Sequence, residues 1–262
     1  MRIILSAAAV FLTSLPAVAA QKDWRGSATI YVWAAGIDSQ VEFPGPVGTR
    51  DISLSSGDVI SNLRFAVMGA GAVRKGRVGA FGDLVYAKIG DSVTASRDFE
   101  LGGLPPSASI TGDLDLDART TLLTIGGSYA LVDAPRFTLD LTAGTRLFDM
   151  RQTLDFQLTG AVAGLPPQEV AGSRTVTVSN WDFVGGVAGA YRFGADARWF
   201  IPVRLDVGTG ESDLTWQVLA GIGHSFGFGD VTFAYRRIAY ELDGSIQDFS
   251  MQGPAIGATF RF

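Results

Sequence analysis

The sequence predicts an all-β protein, an antiparallel up-and-down transmembrane β-barrel of about ten strands, between roughly eight and twelve. Three observations predict this fold class. Hydrophobic residues make up 47% of the chain, yet no apolar run beyond residue 20 is long enough for a spanning helix. Short and long connections alternate along the chain, and aromatic residues cluster at strand ends. Because every backbone polar group must be paired within hydrocarbon, a closed barrel is the non-helical way to span a membrane.

The first twenty residues are typical of a secretory signal peptide. Arg2 gives a positive start, an apolar run follows, and cleavage after Ala19 or Ala20 leaves a small residue at the cut. The chain is therefore divided into a signal peptide, 1–20, and one barrel domain, 21–262. It has no cysteine, which excludes disulfides and thiol catalysis. Its net charge of −5 argues against nucleic-acid partners.

Two kinds of connection separate the predicted strands. The short ones have turn composition and lie at 75–76, 133–135, 194–196 and 227–230. The longer ones lie at 38–60, 91–116, 153–177, 209–212 and 243–250. Tight periplasmic turns and larger outer loops alternate in this way in outer-membrane barrels. A soluble β-sandwich gives no reason for the alternation.

Within the strands, residues alternate between an apolar and a polar face. Phe137, Leu139 and Leu141 share one parity, whereas Asp140 and Arg146 share the other. Period-two patterning places the two sets on opposite faces of a sheet. In a membrane barrel the apolar set contacts lipid and the polar set lines the lumen. A soluble sandwich gives the same alternation with an apolar core, so the alternation alone does not separate the two.

Aromatic residues do separate the two architectures. Eight of them fall at predicted periplasmic strand ends: Tyr129, Phe137, Tyr191, Phe193, Trp199, Phe226, Phe260 and Phe262. Three more fall near predicted outer ends: Tyr86, Trp181 and Trp216. Two aromatic belts that bracket an aliphatic band indicate rings seated at both membrane interfaces. The sequence therefore predicts a location in a bacterial outer membrane.

The C-terminal stretch "GATFRF" supports this location. Gly257, Phe260 and Phe262 resemble the C-terminal β-signal of Gram-negative outer-membrane proteins, although the polar residue usual two positions before the glycine is replaced here by Ala255. The resemblance implies recognition by the barrel-assembly machinery. The segments 31–37, 57–90 and "AYRRIAYEL" also resemble a group of small proteobacterial outer-membrane β-barrel proteins. That resemblance implies a β-barrel fold and a location in the outer membrane, but it implies no enzymatic reaction.

The inward-facing set is rich in charge. It includes Arg64, Asp83, Asp140, Arg146, Asp182, Arg192, Arg204, Asp206 and Arg236. One hypothesis is structural, since a barrel of about eight strands is filled by side chains and interlocked arginines and aspartates satisfy one another. The other hypothesis is a narrow charge-selective pore. Measurements of the stability and conductance of an Arg146→Ala variant distinguish the structural hypothesis from the pore hypothesis.

Two outer features invite a functional interpretation. The near-copies "GGLPPS" (102–107) and "AGLPPQ" (163–168) predict stiff hairpin tips that either meet a surface partner or resist proteolysis. Asp113, Asp115 and Asp117 place three carboxylates on one strand face. Oxygen-rich clusters of this kind suit calcium or magnesium, but the spacing lacks an EF-hand loop and a solvated acidic face is the alternative.

The sequence predicts no enzyme and no cofactor. His224 is the single histidine, and its neighbour Ser225 points to the opposite face of a strand, so the two cannot form a nucleophile–base pair. A ten-stranded omptin-like protease would need a histidine with acidic residues at the outer rim. The expected partners are outer-membrane lipids, lipopolysaccharide and the barrel-assembly machinery. The predicted role is structural or surface-interacting through long outer hairpins. The alternative is a narrow porin-like channel, with a lipid-active enzyme third.

Overall fold

The computed structural model describes residues 24–43, 48–99, 108–162, 168–242 and 246–262. Within these ranges almost every residue lies in a β-strand. The strands are β1 (Trp24–Trp33), β2 (Gly36–Phe43), β3 (Gly48–Leu54), β4 (Leu63–Lys75), β5 (Val78–Phe99), β6 (Ala108–Asp133), β7 (Phe137–Val162), β8 (Gln168–Phe193), β9 (Trp199–Gly210), β10 (Leu214–Ser225), β11 (Asp230–Glu241) and β12 (Ile246–Arg261). One helix, α1 (Ser56–Ser61), lies between β3 and β4. The predicted signal peptide falls outside the described residues.

Ten strands close into an antiparallel barrel, as the sequence predicts. β1 pairs with β4, each of the strands from β4 to β12 pairs with the next, and β12 returns to β1. The closing register runs from Ser27 opposite Arg261 to Trp33 opposite Ala255. β2 and β3 are additional to the ten, because they continue the sheet outward from the first half of β12. Closure leaves the transmembrane part without a free edge.

The two faces of the strands follow the sequence alternation. In β9, Trp199, Ile201 and Leu205 are exposed on the outer wall, whereas Phe200 and Asp206 are buried inside. Since the barrel exterior meets lipid, an exposed apolar side chain here is in its preferred solvent. The same parity holds in β7, where Leu141 is exposed and Arg146 is fully buried. The predicted assignment of apolar residues to the outer wall is confirmed.

The wall divides at one seam. β1 and β4 stay paired only as far as Ile30 opposite Gly69. Beyond that point the chain passes Ala34 and Ala35 and continues as β2 along β12. The backbone N–H of Trp33 lies 3.1 Å from the sulfur of Met68 at the division. The Met68 side chain thus accepts from the backbone of β1 where the backbone ladder stops.

The four short connections are tight turns at the predicted positions. Gly76 and Gly194 take positive φ angles of 58° and 85°, a conformation that glycine adopts without a steric penalty. The turns between β6 and β7 and between β10 and β11 join adjacent strands with no intervening element. All four lie at the same end of the barrel because they alternate with the longer connections.

The outer connections contain more strand than the sequence predicts. β5 has 22 residues and β6, β7 and β8 have 26 each, whereas a tilted crossing needs about 9–11. The ladders continue to Phe99 opposite Ala108 and to Gly160 opposite Gln168. The predicted connections 91–116 and 153–177 are thus mainly paired arms. The Leu-Pro-Pro cores of the two predicted tips lie outside the described residues.

Helix α1 has no counterpart in the sequence prediction. Ser55 and Asp58 form a capping box, with a 2.6 Å bond from the Ser55 hydroxyl to the Asp58 carboxylate and a 3.2 Å bond from the Asp58 N–H to the Ser55 hydroxyl. The helix sits at the outer end of the seam, between β3 and β4. No helix of the described residues is long and apolar enough to cross a membrane.

The capping box should make α1 sensitive to acid. The Ser55 hydroxyl and N–H bind the Asp58 carboxylate and hold its pKa below the ordinary value. A lowered folded-state pKa contributes stability above the ordinary pKa, and this contribution is lost as pH falls through the folded value. We expect the protection factors of the Val59 and Asn62 amides, which compare observed with intrinsic exchange, to fall in that acidic window. Asp58→Asn should show lower protection at neutral pH and no further fall in the acidic window. Protection factors of the native chain that stay constant through the window would contradict the assignment.

Candidate functional site in the barrel lumen

Seven side chains from six strands meet inside the barrel in one hydrogen-bonded cluster, the lumen network. Its members are Tyr31, Asp83, Arg146, Arg204, Asp206, Gln217 and Arg236. Inward parity in β1, β5, β7, β9, β10 and β11 places all seven side chains on the lumen face of the wall. Five were named from sequence as lumen residues: Asp83, Arg146, Arg204, Asp206 and Arg236.

Arg146 is the most deeply buried member. Its guanidinium is fully covered and donates to the Thr124 hydroxyl at 3.1 Å, the Thr215 hydroxyl at 3.3 Å and the Asp206 carboxylate at 2.6 Å. The Asp206 side chain is 2% exposed. Burying charge is unfavourable unless it is paired and hydrogen-bonded, and both conditions hold here. The pair therefore joins β7 to β9 across the lumen.

Arg236 forms the second centre of the lumen network. It donates to the Asp83 carboxylate at 2.8 Å, to the Tyr31 hydroxyl at 2.9 Å and to the Gln217 amide oxygen at 2.7 Å. The Gln217 amide nitrogen donates in turn to Asp206 at 3.0 Å. One glutamine thus links the two arginine centres. The network spans the lumen from β1 round to β9 and satisfies three arginines with two carboxylates and neutral oxygens.

The other predicted lumen residues make separate contacts. Asp182 is fully buried and accepts from the Ser212 hydroxyl at 2.8 Å and the Ser212 N–H at 2.9 Å, so it fastens the β9–β10 turn. Asp140 pairs with Arg74. Arg192 donates to the Ser225 hydroxyl at 3.0 Å near the short turns. These residues surround the lumen network without joining it.

Arg64 lies apart, at the outer rim. Its guanidinium is half-exposed and donates to Asp117 at 2.8 Å. Asp117 also belongs to the predicted acidic metal candidate, whose Asp113 and Asp115 side chains lie outside the described set. Among the side chains that the structure describes, no group of three potential metal ligands is found. Asp117 is therefore a rim ion-pair partner in the described structure.

Above the lumen network lies a layer of apolar side chains, the apolar plug. Its members include Trp33, Leu122, Phe148, Ile238, Tyr240, Phe249 and Met251. Phe148 is fully buried, and its ring stacks on Tyr240 at 4.7 Å and Phe249 at 4.8 Å between centroids. The Arg236 guanidinium lies 4.9 Å from the Trp33 ring, where the two layers meet. Packed rings and paired charges occupy successive levels of the lumen.

Sequence reasoning missed most of the apolar plug. The signal was available in β7, since Phe148 has the same parity as Arg146. In β1 both faces are apolar, and the parity of Tyr31 and Trp33 could not be assigned from sequence. The structure turns these two inward and leaves Ile30 and Val32 exposed to lipid. Cross-strand register decides this, because Trp33 faces Ala255 of the closing strand.

The remaining predicted residues lie on the wall near the short turns. Phe260 is outward-facing and half-exposed in β12, and Gly257 lies opposite Tyr31. The Phe262 N–H and carbonyl bond to Gly26, which extends the closing ladder. His224 packs against Trp199 at 4.7 Å and Phe226 at 4.5 Å between ring centroids. Phe260, Phe262 and His224 thus lie among the aromatic residues at this end of the barrel, whereas Gly257 faces inward opposite Tyr31.

The first of three solved structures agrees with the fold, whereas the other two are less similar. The outer membrane protease OmpT from Escherichia coli is 10% identical, with 92% of this chain and 97% of that chain covered and a TM-score of 0.50. The CymD monoaromatic hydrocarbon channel is 11% identical over 93% and 89%, at 0.37. The translocator domain of the autotransporter NalP from Neisseria meningitidis is 13% identical over 92% and 88%, at 0.36. No protein-family model matches the chain, and no curated protein matches it.

The comparison with OmpT corrects one prediction. The sequence predicts that the protein is not an enzyme, yet a protease has the same barrel architecture. A fold of this kind therefore accommodates catalysis, and a single histidine is no ground for excluding an enzyme. At 10% identity the likeness concerns the fold, and fold alone does not fix function. The chain has the β-barrel fold of the outer-membrane proteins of Gram-negative bacteria.

Proposed function

We propose that the protein is an integral outer-membrane barrel with a closed lumen, whose longest strands present a stiff platform to a partner at the cell surface. The observation that carries this proposal is the length of β5 to β8, about twice what a crossing needs. Beyond the row Gly90, Asp117, Thr153 and Thr175, the four strands project together as a four-stranded extension, the outer blade.

The outer blade is held as one body. Its ladders are continuous, so each strand is hydrogen-bonded along its length. At the base the Thr153 and Thr175 hydroxyls lie 3.2 Å apart, and Arg64 ties β4 to Asp117 of β6. Nine residues at about 3.3 Å each give an extension of roughly 30 Å. A rigid projection of this length carries its surface beyond the headgroups.

The two edge strands of the outer blade, β5 and β8, continue beyond the ends of the strands that flank them, β4 and β9. β4 begins at Leu63, opposite Ile89, and β9 ends at Gly210, opposite Asp182. Beyond those points no described strand pairs with the outer side of β5 or β8. An open strand edge offers main-chain donors and acceptors to an extended partner. These edges support a surface-interaction role.

The filled lumen supports a closed barrel over the channel alternative. The lumen network and the apolar plug occupy successive levels, and Arg146 and Phe148 are both fully buried. Conduction needs a pathway of polar groups and water, whereas at this level the Phe148 ring stacks on Tyr240 and on Phe249. We therefore expect the refolded mature chain to be silent in planar bilayers while its heat-modifiable gel mobility shows that it is folded. Steady, ion-selective openings would instead favour the channel.

The surface role is tested by photo-crosslinking in intact cells. A photo-reactive amino acid is placed at Asp155 or Ser173, which face one another in the outer blade and are both exposed. The matched control carries it at Asp196, exposed in a short turn at the opposite end. We expect one discrete cross-linked species from the blade positions and none of that size from the control. Identical patterns from both ends would contradict the proposal.

A further inference from the structure

A groove of about 460 Å³ lies on the lipid-facing side of the wall, at the outer end of β10, β11, β12, β2 and β3. Its position follows from parity. Arg236, Ile238 and Tyr240 are buried in the lumen, so the alternate residues Arg237 and Ala239 face outward. The volume falls within the range of roughly 300–1,000 Å³ typical of ligand pockets. The groove shares no residue with the lumen network.

Register explains the shape of the groove. One outward row crosses the wall: Trp216, Ala239, Ser250, Asp38 and Ser53. Ala239 and Ser250 are small and form the floor, with Ser250 only 8% exposed. Trp216 stands on one side and Asp38 on the other. Asp38 is fixed by the Ser53 hydroxyl at 2.6 Å and the Gln252 amide at 3.0 Å.

Polar and charged side chains with unfavourable surroundings line this groove. The Arg237 guanidinium lies 5.3 Å from the Trp216 ring centroid, and its Nε is buried without a hydrogen-bond partner among the described residues. Arg237 also forms no salt bridge within the described part of the chain. One row further out, Glu241 and Asp248 are directly opposite in register, so their side chains share the outward face. Buried donors and facing like charges are both unfavourable unless a ligand satisfies them.

The distance of the groove from the short turns indicates which layer of the membrane lies against it. Ala239 stands nine residues after Asp230, where β11 leaves its short turn. Nine residues at about 3.3 Å, tilted by about 40°, rise roughly 23 Å, close to the ~25 Å apolar band of a barrel. The groove therefore opens at the outer edge of the hydrocarbon. Headgroups of the outer leaflet occupy that level.

We propose that this groove binds the phosphorylated sugar head of an outer-leaflet glycolipid. The flat Trp216 ring packs against the carbon face of a sugar, and Asp38 accepts from its hydroxyls. The Arg237 guanidinium donates to a phosphate oxygen, the acceptor that suits it best. Glu241 and Asp248 bind the cation that neutralises the phosphate, since carboxylates are the ligands of hard divalent ions.

The test is a titration of the full-length mature protein, folded in detergent micelles, with purified lipid A followed by native mass spectrometry. Arg237→Gln and Trp216→Leu should each weaken binding about tenfold or more, because each removes a charge-assisted bond or the stacking wall. The matched control is Lys75→Gln. Lys75 lies 5.7 Å over the ring of Trp24 at the opposite end of the wall, and its loss should leave affinity unchanged. Gel mobility confirms that each variant is folded.

Three further binding measurements distinguish a phosphorylated sugar head from other lipid headgroups as the ligand. Dephosphorylated lipid A should bind the native protein about as weakly as lipid A binds Arg237→Gln, and the two losses should not add. A soluble sugar phosphate should compete with lipid A, whereas phosphatidylethanolamine should not. The proposal is overturned if Arg237→Gln and the native protein bind lipid A equally, or if phosphatidylethanolamine displaces lipid A. Arg237→Lys, which keeps the charge, should retain part of the affinity; affinity no better than that of Arg237→Gln would exclude the phosphate contact.

Discussion

Replacing Arg146 by alanine should lower the free energy of unfolding by about 3–5 kcal/mol. The change leaves the Asp206 carboxylate, 2% exposed, without its 2.6 Å partner. It also leaves the Thr124 and Thr215 hydroxyls without their donor. Chemical unfolding in lipid vesicles, followed by tryptophan fluorescence, measures the loss. Arg204 and Gln217 remain on Asp206 and keep the effect within this range.

The control for this prediction is an exposed ion pair of similar length. Arg25 and Asp133 lie 2.8 Å apart, with side chains 62% and 40% exposed. Exposed pairs contribute about 0–1 kcal/mol, so Arg25→Ala should have little effect. The double variant Arg146→Met, Asp206→Asn should recover part of the loss, because the fully buried carboxylate charge is removed together with its partner. Arg204 also loses Asp206, but its side chain is 21% exposed and can be hydrated. If Arg146→Ala matches the control in stability and the barrel conducts ions, the network serves a pathway and its structural interpretation is wrong.

Replacing Phe148 by alanine should cost a similar amount, about 3–5 kcal/mol. Phe148 is fully buried, and its ring stacks on both Tyr240 and Phe249. Truncation removes both stacking contacts and leaves a cavity that strands fixed by a closed ladder cannot collapse to fill. Phe148→Leu keeps most of the volume and should cost less than about 1.5 kcal/mol. Equal losses in the two variants would show that the aromatic ring, rather than the volume it fills, is the stabilising feature.

The same site also determines lumen closure. Phe148→Ala combined with Tyr240→Ala removes two stacked rings from the apolar plug, and we expect small conductance steps that the native barrel does not show. The lumen network should remain and make the current dependent on ion charge. A native barrel that conducts as well as the double variant would mean that the plug does not close the lumen.

Much of the wall could be predicted from sequence. Period-two alternation fixed which side of β7 and β9 meets lipid, and the short turns fixed where strands reverse. The aromatic positions fixed the two interfaces. These are local properties of the chain, and each can be recognised within a few residues. The inward placement of Arg146, Asp206 and Arg236 followed from the same parity.

Other features depended on which strands meet and at what register. Arg236 reaches Asp83, 153 positions away in the chain, because the barrel closes through β1 and β12. Tyr31 and Trp33 could not be oriented from a segment that is apolar on both faces, and the closing register decided their side. Helix α1 and the seam depend on where the β1–β4 ladder stops at Ile30. The outer blade depends on pairing that continues through residues expected to form connections.

The sequence by itself thus determined that this protein has the β-barrel fold of outer-membrane proteins, how its wall is patterned and where its turns lie, because those patterns belong to each strand and turn separately. The tertiary structure alone decided how the lumen is filled, that the two long outer hairpins pair into one four-stranded blade, and that Arg237 and Trp216 meet Asp38 at one groove. The physical reason is that these arrangements require side chains from strands distant in sequence, and only barrel closure and cross-strand register bring them together.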